Sequence, residues 1–230
     1  MKPTPPVSQS ISRCRSILAS LCAAALFLSV SCSKKGEALF TDDLSNATFP
    51  PGTWTIKDGI LKGNGKGGMM WTKKEYTNFQ LDVDFRVPPN NKANSGIFLR
   101  CPNPEKAARN RSHHHQNSIE LEIITESKPK PKNGAGALLT ICSPQPPLIL
   151  KPNQWYHYSV KAVDSMITVS CDGKQLYSFD LSKGTKAGKN PDGSPNILKV
   201  AMKDLPKKGH IGFQDFLGPV EFRNVRITEL

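Results

Sequence analysis

From Phe40 onward, apolar and polar residues alternate in short runs broken by Gly, Pro, Asn and Asp, and no long stretch keeps a helical period. The clearest run sets Phe79, Leu81, Val83, Phe85 and Val87 against Gln80, Asp82, Asp84 and Arg86. That pattern predicts a strand with one face in the core and one in water. Pro88, Pro89, Asn90 and Asn91 stop it. Residues 54–61 read as two strands turning at Asp58-Gly59, and residues 69–72, 95–100, 119–125, 137–142 and 155–163 as single strands. Residues 166–171 and 175–179 flank Asp172-Gly173, a dipeptide suited to the left-handed turn of a tight hairpin. Residues 210–214 and 220–228 close the chain. About a dozen short strands joined by hairpins predict an all-β, two-sheet antiparallel jelly-roll sandwich, because each sheet must bury one apolar face. Residues 183–196 are too polar and too rich in Gly and Pro to pack, and read as an exposed loop. Residues 102–116 read as a long insertion that borders a site or merely decorates the surface.

The amino terminus breaks this pattern. Lys2, Arg13 and Arg15 precede an apolar run at residues 17–30, too short to span a bilayer comfortably, which is the profile of a secretory signal. The run ends at Ser31-Cys32-Ser33, which looks like the processing site of a bacterial lipoprotein and makes Cys32 the expected lipid-anchored first residue, with plain secretion as the alternative. The expected organisation is a signal over residues 1–31, a tether over 32–38 and one domain over 39–230. Six cysteines are present, but only Cys101, Cys142 and Cys171 belong to the domain, so buried thiols with at most one bridge are expected. The formal charge is +12; the leader carries three of the positive residues and no acid, leaving +9. The basic residues are spread without interleaved aromatics, so a solvated surface is expected and nucleic acid is not a partner. Anionic polysaccharide and the membrane surface stay open.

Chemistry concentrates at residues 118–126. If Ile119, Leu121 and Ile123 face the core, Glu120 and Glu122 emerge together on the other face, about 7 Å apart by strand rise. Two carboxylates so placed repel, which raises the pKa of one and suits it to hold or take a proton. The competing reading is a solvent-facing strand with ordinary surface glutamates. The run His113-His114-His115, taken as loop, suggests a structural metal with Glu120 or Glu122 as oxygen donors, against a solvated loop. No metal centre or cofactor is assigned, and a divalent ion stays open. Residues 63–68 lack the Ser or Thr and the helix of a phosphate loop and read as a turn. No G-x-S-x-G elbow is present.

Several segments in order resemble the 3-keto-disaccharide hydrolase domain family, exported bacterial proteins with a concanavalin-like jelly roll, and the resemblance spans residues 39–230. It rests on residues 54–61, on 72–76 followed by 79–81, on 94–100, on 119–122, on 136–138, and on 212–215 together with 219–226. The resemblance implies cleavage of a glycosidic bond whose sugar already carries a ketone at carbon 3, by proton abstraction, elimination and hydration. It also implies a partner oxidoreductase that makes such sugars. At motif positions it assigns Glu120, Glu122 and Asp215 to catalysis, with Arg100 binding an enolate or hydroxyl and Gln214 with Asp215 holding sugar hydroxyls. Trp71, Tyr76, Trp155 and Phe216 are candidate aromatic platforms. The chain departs from the family pattern at Glu122, where glutamine is usual, at Thr125 (aspartate), at Leu139 (tyrosine) and at Phe216-Leu217 (His-Gly). A phenyl ring cannot move protons, so a non-catalytic carbohydrate-binding module is the second reading. A retaining glycosidase of laminarinase type is the third. Its Glu-x-Asp-x-x-Glu order is lengthened here to Glu120-x-Glu122-x-x-x-Glu126, and the extra residue is expected to turn Glu126 to another face unless a bulge restores it.

Overall fold

The computed structural model describes residue 1 and residues 36–90, 92–104, 111–126 and 131–230. The expected signal and Cys32 lie outside the described residues. Thirteen strands among the described residues are β1 (Glu37–Ala38), β2 (Ala47–Thr48), β3 (Trp54–Lys57), β4 (Ile60–Gly63), β5 (Gly68–Tyr76), β6 (Phe79–Arg86), β7 (Asn94–Cys101), β8 (Ile119–Ile124), β9 (Trp155–Val163), β10 (Met166–Cys171), β11 (Lys174–Asp180), β12 (Gly209–Asp215) and β13 (Glu221–Glu229). A helix, α1 (Arg111–Asn117), precedes β8. An eight-stranded sheet runs β11-β10-β9-β6-β13-β4-β3 with β1 on β13, and a five-stranded sheet runs β2-β5-β12-β7-β8. All strand pairs are antiparallel, so the predicted sandwich is the observed fold. No helix among the described residues is long and apolar enough to cross a membrane.

The alternation in β6 does what period two requires: Phe79, Leu81, Val83 and Phe85 are fully buried while the residues between them are half-buried. They meet Met70, Ile97, Leu121 and Phe213 from the five-stranded sheet. Phe213 sets its edge on Phe222 at 5.0 Å, an aromatic pair that crosses the core between the sheets. Asp58 and Gly59, and Asp172 and Gly173, all take positive φ, as tight hairpin turns demand. On the wet face, His157 Nδ1 lies 2.7 Å from Asp84 Oδ1 and Nε2 lies 3.5 Å from Asp82. Hydrogen bonding to these carboxylates lifts the imidazole to about 9. Its folded value is raised, so its contribution to stability is fully present below the ordinary imidazole pKa and is lost as pH rises through about 9. In urea titrations, His157→Gln is expected to lower the midpoint at pH 6 and to leave it nearly unchanged at pH 10.

Three local expectations are corrected. Residues 137–142 form no strand; Leu138 makes single bridges to Leu121 and Cys142 within a turn, because Thr140 takes φ 61°. The polar stretch 183–196 is a largely exposed loop, as expected, and is tied down at a few points. Buried Asn190 donates from Nδ2 to the carbonyl of Thr140, and the backbone N of Ile197 donates to Thr140 Oγ1. The 102–116 insertion carries the histidines on α1 rather than on a loop. Glu37 and Ala38, expected in the tether, pair with Ile227 and Arg226 of β13. Cys101, Cys142 and Cys171 are all free thiols.

Candidate active site

Strand alternation turns Ile119, Leu121 and Ile123 into the core and Glu120 and Glu122 onto the outer face of the five-stranded sheet. They are not surface glutamates, being only 4% and 5% exposed. Two features cover them. Along one cross-strand row, Trp71, Gly212, Phe98 and Glu120 stand side by side, and the indole lies over Gly212, leaving no room there for a side chain. On this aromatic floor sits α1, with the His114 ring 4.8 Å and the His115 ring 5.2 Å from Phe98. In the next row Gly96 pairs with Glu122, and the Glu120 carboxyl folds over Gly96, where a methyl group would collide with it.

The result is an open hollow of about 340 Å³ lined by His115, Glu120, Glu122, Glu126, Asn133 and Gln214, with Asn94, Ile124, Leu139 and Phe216. That volume suits a small ligand. His115 Nδ1 lies 2.8 Å from Glu120 Oε2, near enough to share a proton, though the two are not aligned as a hydrogen bond. Among the described residues both atoms lack any other partner, as do Glu126 Oε2, Asn133 Oδ1 and Gln214 Oε1. Each unmade bond to a buried polar atom costs about 1–3 kcal/mol, so five at one hollow mark a place where a polyhydroxylated ligand belongs. A neighbouring hollow of about 360 Å³ between Cys142, Asn190 and Asp192 lacks this property. There Lys132 pairs with Asp192 and Ser194, and Asn190 with Thr140 and Ser194.

Burial drives the titrations in the active hollow apart. It raises Glu120 well above the carboxylate range, and raises Glu122 too, with further help from the charges of Glu120 and Glu126. Burial lowers His115 below the ordinary imidazole value. Near neutral pH, Glu122 is therefore a protonated acid and His115 an uncharged imidazole. Among the described residues no group of three His, Cys, Asp or Glu side chains is arranged to hold a metal ion, so the histidine run is not gathered with Glu120 and Glu122 as a ligand set.

Glu120, Glu122 and Gln214 are thus brought together, and four other expected site residues are not. Arg100 follows Phe98 in the outward phase, but its backbone turns left-handed at φ 55° and swings the guanidinium away. It donates to the carbonyls of Thr77 (2.7 Å) and Asp164 (2.6 Å) and to Asn78 Oδ1 (3.3 Å), tying hairpins of the sandwich together. Asp215 falls one residue out of phase with Gln214; its carboxylate accepts from Gly65 N at 2.9 Å and fills the space where Gly63 has no side chain, so it fastens the 63–68 turn. Tyr76 points inward and packs on Phe79 in the core. Trp71 is on the correct face but lies 3% exposed beneath α1 and outside the lining of the hollow. Arg100→Ala is expected to lower folding stability by about 2–4 kcal/mol in urea titrations, since it removes a buried guanidinium that donates three charge-assisted bonds.

Asn94, Ile124 and Asn133 line the hollow without having been placed in the site by the sequence, and His115 was raised only as part of a metal-binding run with Glu120 or Glu122. The spacing of His115 from Glu120 held no periodic signal, because a helix end and a strand start intervene. Glu126, expected on another face, lines the same hollow. Of the departures from the family pattern, Glu122, Leu139 and Phe216 line the hollow, whereas the Thr125 hydroxyl accepts from Ala93 N at the sheet edge.

No curated protein sequence matches the chain. Among solved structures, a candidate glycosyl hydrolase from Parabacteroides distasonis is 32% identical, with a TM-score of 0.75, over 85% of this chain and 100% of that one. A second candidate glycosyl hydrolase from the same organism is 20% identical with a TM-score of 0.63, over 77% of this chain and 84% of that one. A carbohydrate-binding module from Bacillus subtilis shares the fold at a TM-score of 0.51 and 11% identity, over 83% of this chain and 99% of that one. The family described as the 3-keto-alpha-glucoside-1,2-lyase-like domain matches residues 37–228. With nearly every residue of the sandwich inside that match, and a relative of this identity aligned along its whole length, the chain belongs to the 3-keto-alpha-glucoside-1,2-lyase-like family.

Proposed function

We propose that the protein cleaves glycosides whose sugar carries a ketone at carbon 3, by abstraction of the carbon 2 proton, expulsion of the group at carbon 1 and addition of water. The observation that carries this reading is the pairing of a neutral imidazole at His115 with buried, protonated carboxyls at Glu120 and Glu122 in one hollow. Environments that push titratable groups apart in this way supply a base and an acid at the same pH.

The ketone acidifies the hydrogen on carbon 2. His115 and Glu120 hold one proton between them at rest and take a second from carbon 2. The electron pair of that C–H bond forms the carbon 1–carbon 2 double bond as the bond from carbon 1 to the leaving oxygen breaks. Glu122 protonates that oxygen. Gln214 donates its amide hydrogen to the ketone oxygen, where negative charge builds, and Asn133 and Glu126 receive sugar hydroxyls. In the return half, Glu122 takes a proton from the water that adds at carbon 1, and the His115–Glu120 pair, its protons exchanged with water through the open hollow, gives a solvent-derived proton to carbon 2. The net reaction consumes one water. Chemistry of this kind requires an oxidoreductase upstream to make the ketone, and with a lipid anchor on Cys32 the domain acts at the cell envelope.

A colorimetric assay on 4-nitrophenyl 3-keto-glucoside and its unoxidised parent tests the reading. Release from the keto form alone is the expected result. Release from both points to direct glycosidase action by the carboxyls, and binding without release points to a carbohydrate-binding module. The pH profile of kcat/KM carries a second expectation. The base must be unprotonated and the acid protonated, so activity falls on the acid side below pH 6.5, where the lowered His115 titrates, and on the alkaline side only where the raised Glu122 ionises.

A further inference from the structure

Gln214 is aimed by a break in the strand that carries it. Phe213 pairs with Ile97 of β7, and Leu217 pairs with Asn94. Residues 214–216 of the β12 chain therefore stand opposite only Ser95 and Gly96 of β7, which makes a β-bulge. On the β5 side the register from Gly212 to Asp215 is regular, with Gln214 facing Met69 and Asp215 facing Gly68. A bulge has lost part of its ladder, so side chains must hold it. The buried Ser95 hydroxyl donates to the Gln214 carbonyl at 2.7 Å. Nothing in the hollow holds the far end of Gln214, whose Oε1 has no partner among the described residues. The direction of its amide is thus set from its backbone.

The next residue supplies the anchor. Asp215 is 3% exposed, and its carboxylate accepts from Gly65 N at 2.9 Å. Gly65 lies in the turn that carries the chain from β4 of the eight-stranded sheet to β5 of the five-stranded sheet. Gly65 and Gly67 take positive φ, which lets successive N–H groups converge into a cradle for an anion. Burial raises the Asp215 carboxyl, and the backbone N–H groups of Gly65, Gly67, Lys66 and Asn64 oppose that rise. Gly63 closes the cradle, because a methyl group there would strike the Asp215 carboxyl. We infer that Asp215 is a positioning residue: held in the glycine turn, it fixes the bulge and so aims the Gln214 amide into the hollow. The inference rests on the proposed reaction for what Gln214 does there, and on the bulge alone for how Gln214 is held.

Two variants disturb the anchor without touching the hollow. Asp215→Asn keeps the volume and removes the charge that the cradle receives. Gly63→Ala pushes on the same carboxyl, at a residue whose φ is not left-handed. In isotope-labelled protein, the side-chain amide signals of Gln214 are assigned by their loss in Gln214→Ala. Both variants are expected to move those signals toward the position of solvent-exposed glutamine amides. With 4-nitrophenyl 3-keto-glucoside, each is expected to lose about tenfold to a hundredfold in kcat while KM stays within a few-fold, as when an interaction made in the transition state is lost. In a Gln214→Ala background each adds less than about twofold, since what Asp215 aims is already gone. Amide signals unmoved in both variants, a loss repeated in full without Gln214, or collapse of the thermal midpoint in both overturns the inference. Moved signals in a protein that turns over no keto-glycoside remove the reaction but leave the positioning role. Turnover with the signals unmoved removes the positioning role but leaves the reaction.

Discussion

Glu122→Gln is expected to lower kcat/KM toward a 3-keto-glycoside with an alkyl leaving group by roughly 10²–10⁴, the range in which general acid catalysis falls. The same variant is expected to lose far less with 4-nitrophenolate, which departs without a proton. That asymmetry distinguishes loss of an acid from loss of a wall of the hollow. Glutamine keeps the volume of Glu122 and removes the carboxyl that burial and the neighbouring Glu120 and Glu126 charges hold protonated. A carboxyl whose pKa is raised on folding costs stability above its unfolded pKa, so at neutral pH the thermal midpoint of Glu122→Gln should stay level or rise. Equal losses on both leaving groups would place the effect of Glu122 elsewhere than on the departing oxygen.

The second large effect is expected from a residue with no side chain. In Gly96→Ala, the new methyl falls on the Glu120 carboxyl, against Oε1, Cγ and Cδ. The atoms in its way belong to a flexible side chain, and Gly96 does not take a left-handed φ, so the strand survives while Glu120 swings off its place beside His115. A displacement of about 1 Å at a catalytic group costs on the order of 10² in rate. Activity is therefore expected to fall about a hundredfold, with far-ultraviolet circular dichroism unchanged. Activity within a few-fold of the parent would mean that the Glu120 position over Gly96 is not needed.

Both predictions depend on features that differ in how plainly the chain displays them. Period-two alternation exposed β6 and put Glu120 and Glu122 on one face, because a residue's phase in a strand decides its face. It failed where phase is broken. Arg100 was assigned to the site by its motif position, and its left-handed backbone swings it away from the face that strand phase would give it. Asp215 was joined to Gln214 as a neighbour in sequence, although neighbours in a strand point to opposite faces. Helix α1 has seven residues, too few for an amphipathic period to be read, so His115 was visible only as part of a histidine run. Gly96 and Gly212 read as ordinary strand glycines, yet each makes room for a functional or supporting side chain from the next strand. Asn133 and Leu139 reach the hollow from an irregular segment whose course is set by tertiary bonds such as that from Leu139 N to the Glu120 carbonyl.

The fate of the hydrogen on carbon 2 tests the chemistry most directly. A 3-keto-glucoside carrying deuterium at carbon 2 is incubated with the protein in ordinary water, and product and recovered substrate are analysed by mass spectrometry at partial conversion. Abstraction by the His115–Glu120 pair predicts product stripped of deuterium at the rate of turnover, while recovered substrate keeps its label. Product that retains the deuterium would contradict the account, because the bond to carbon 1 would then have broken without any proton leaving carbon 2.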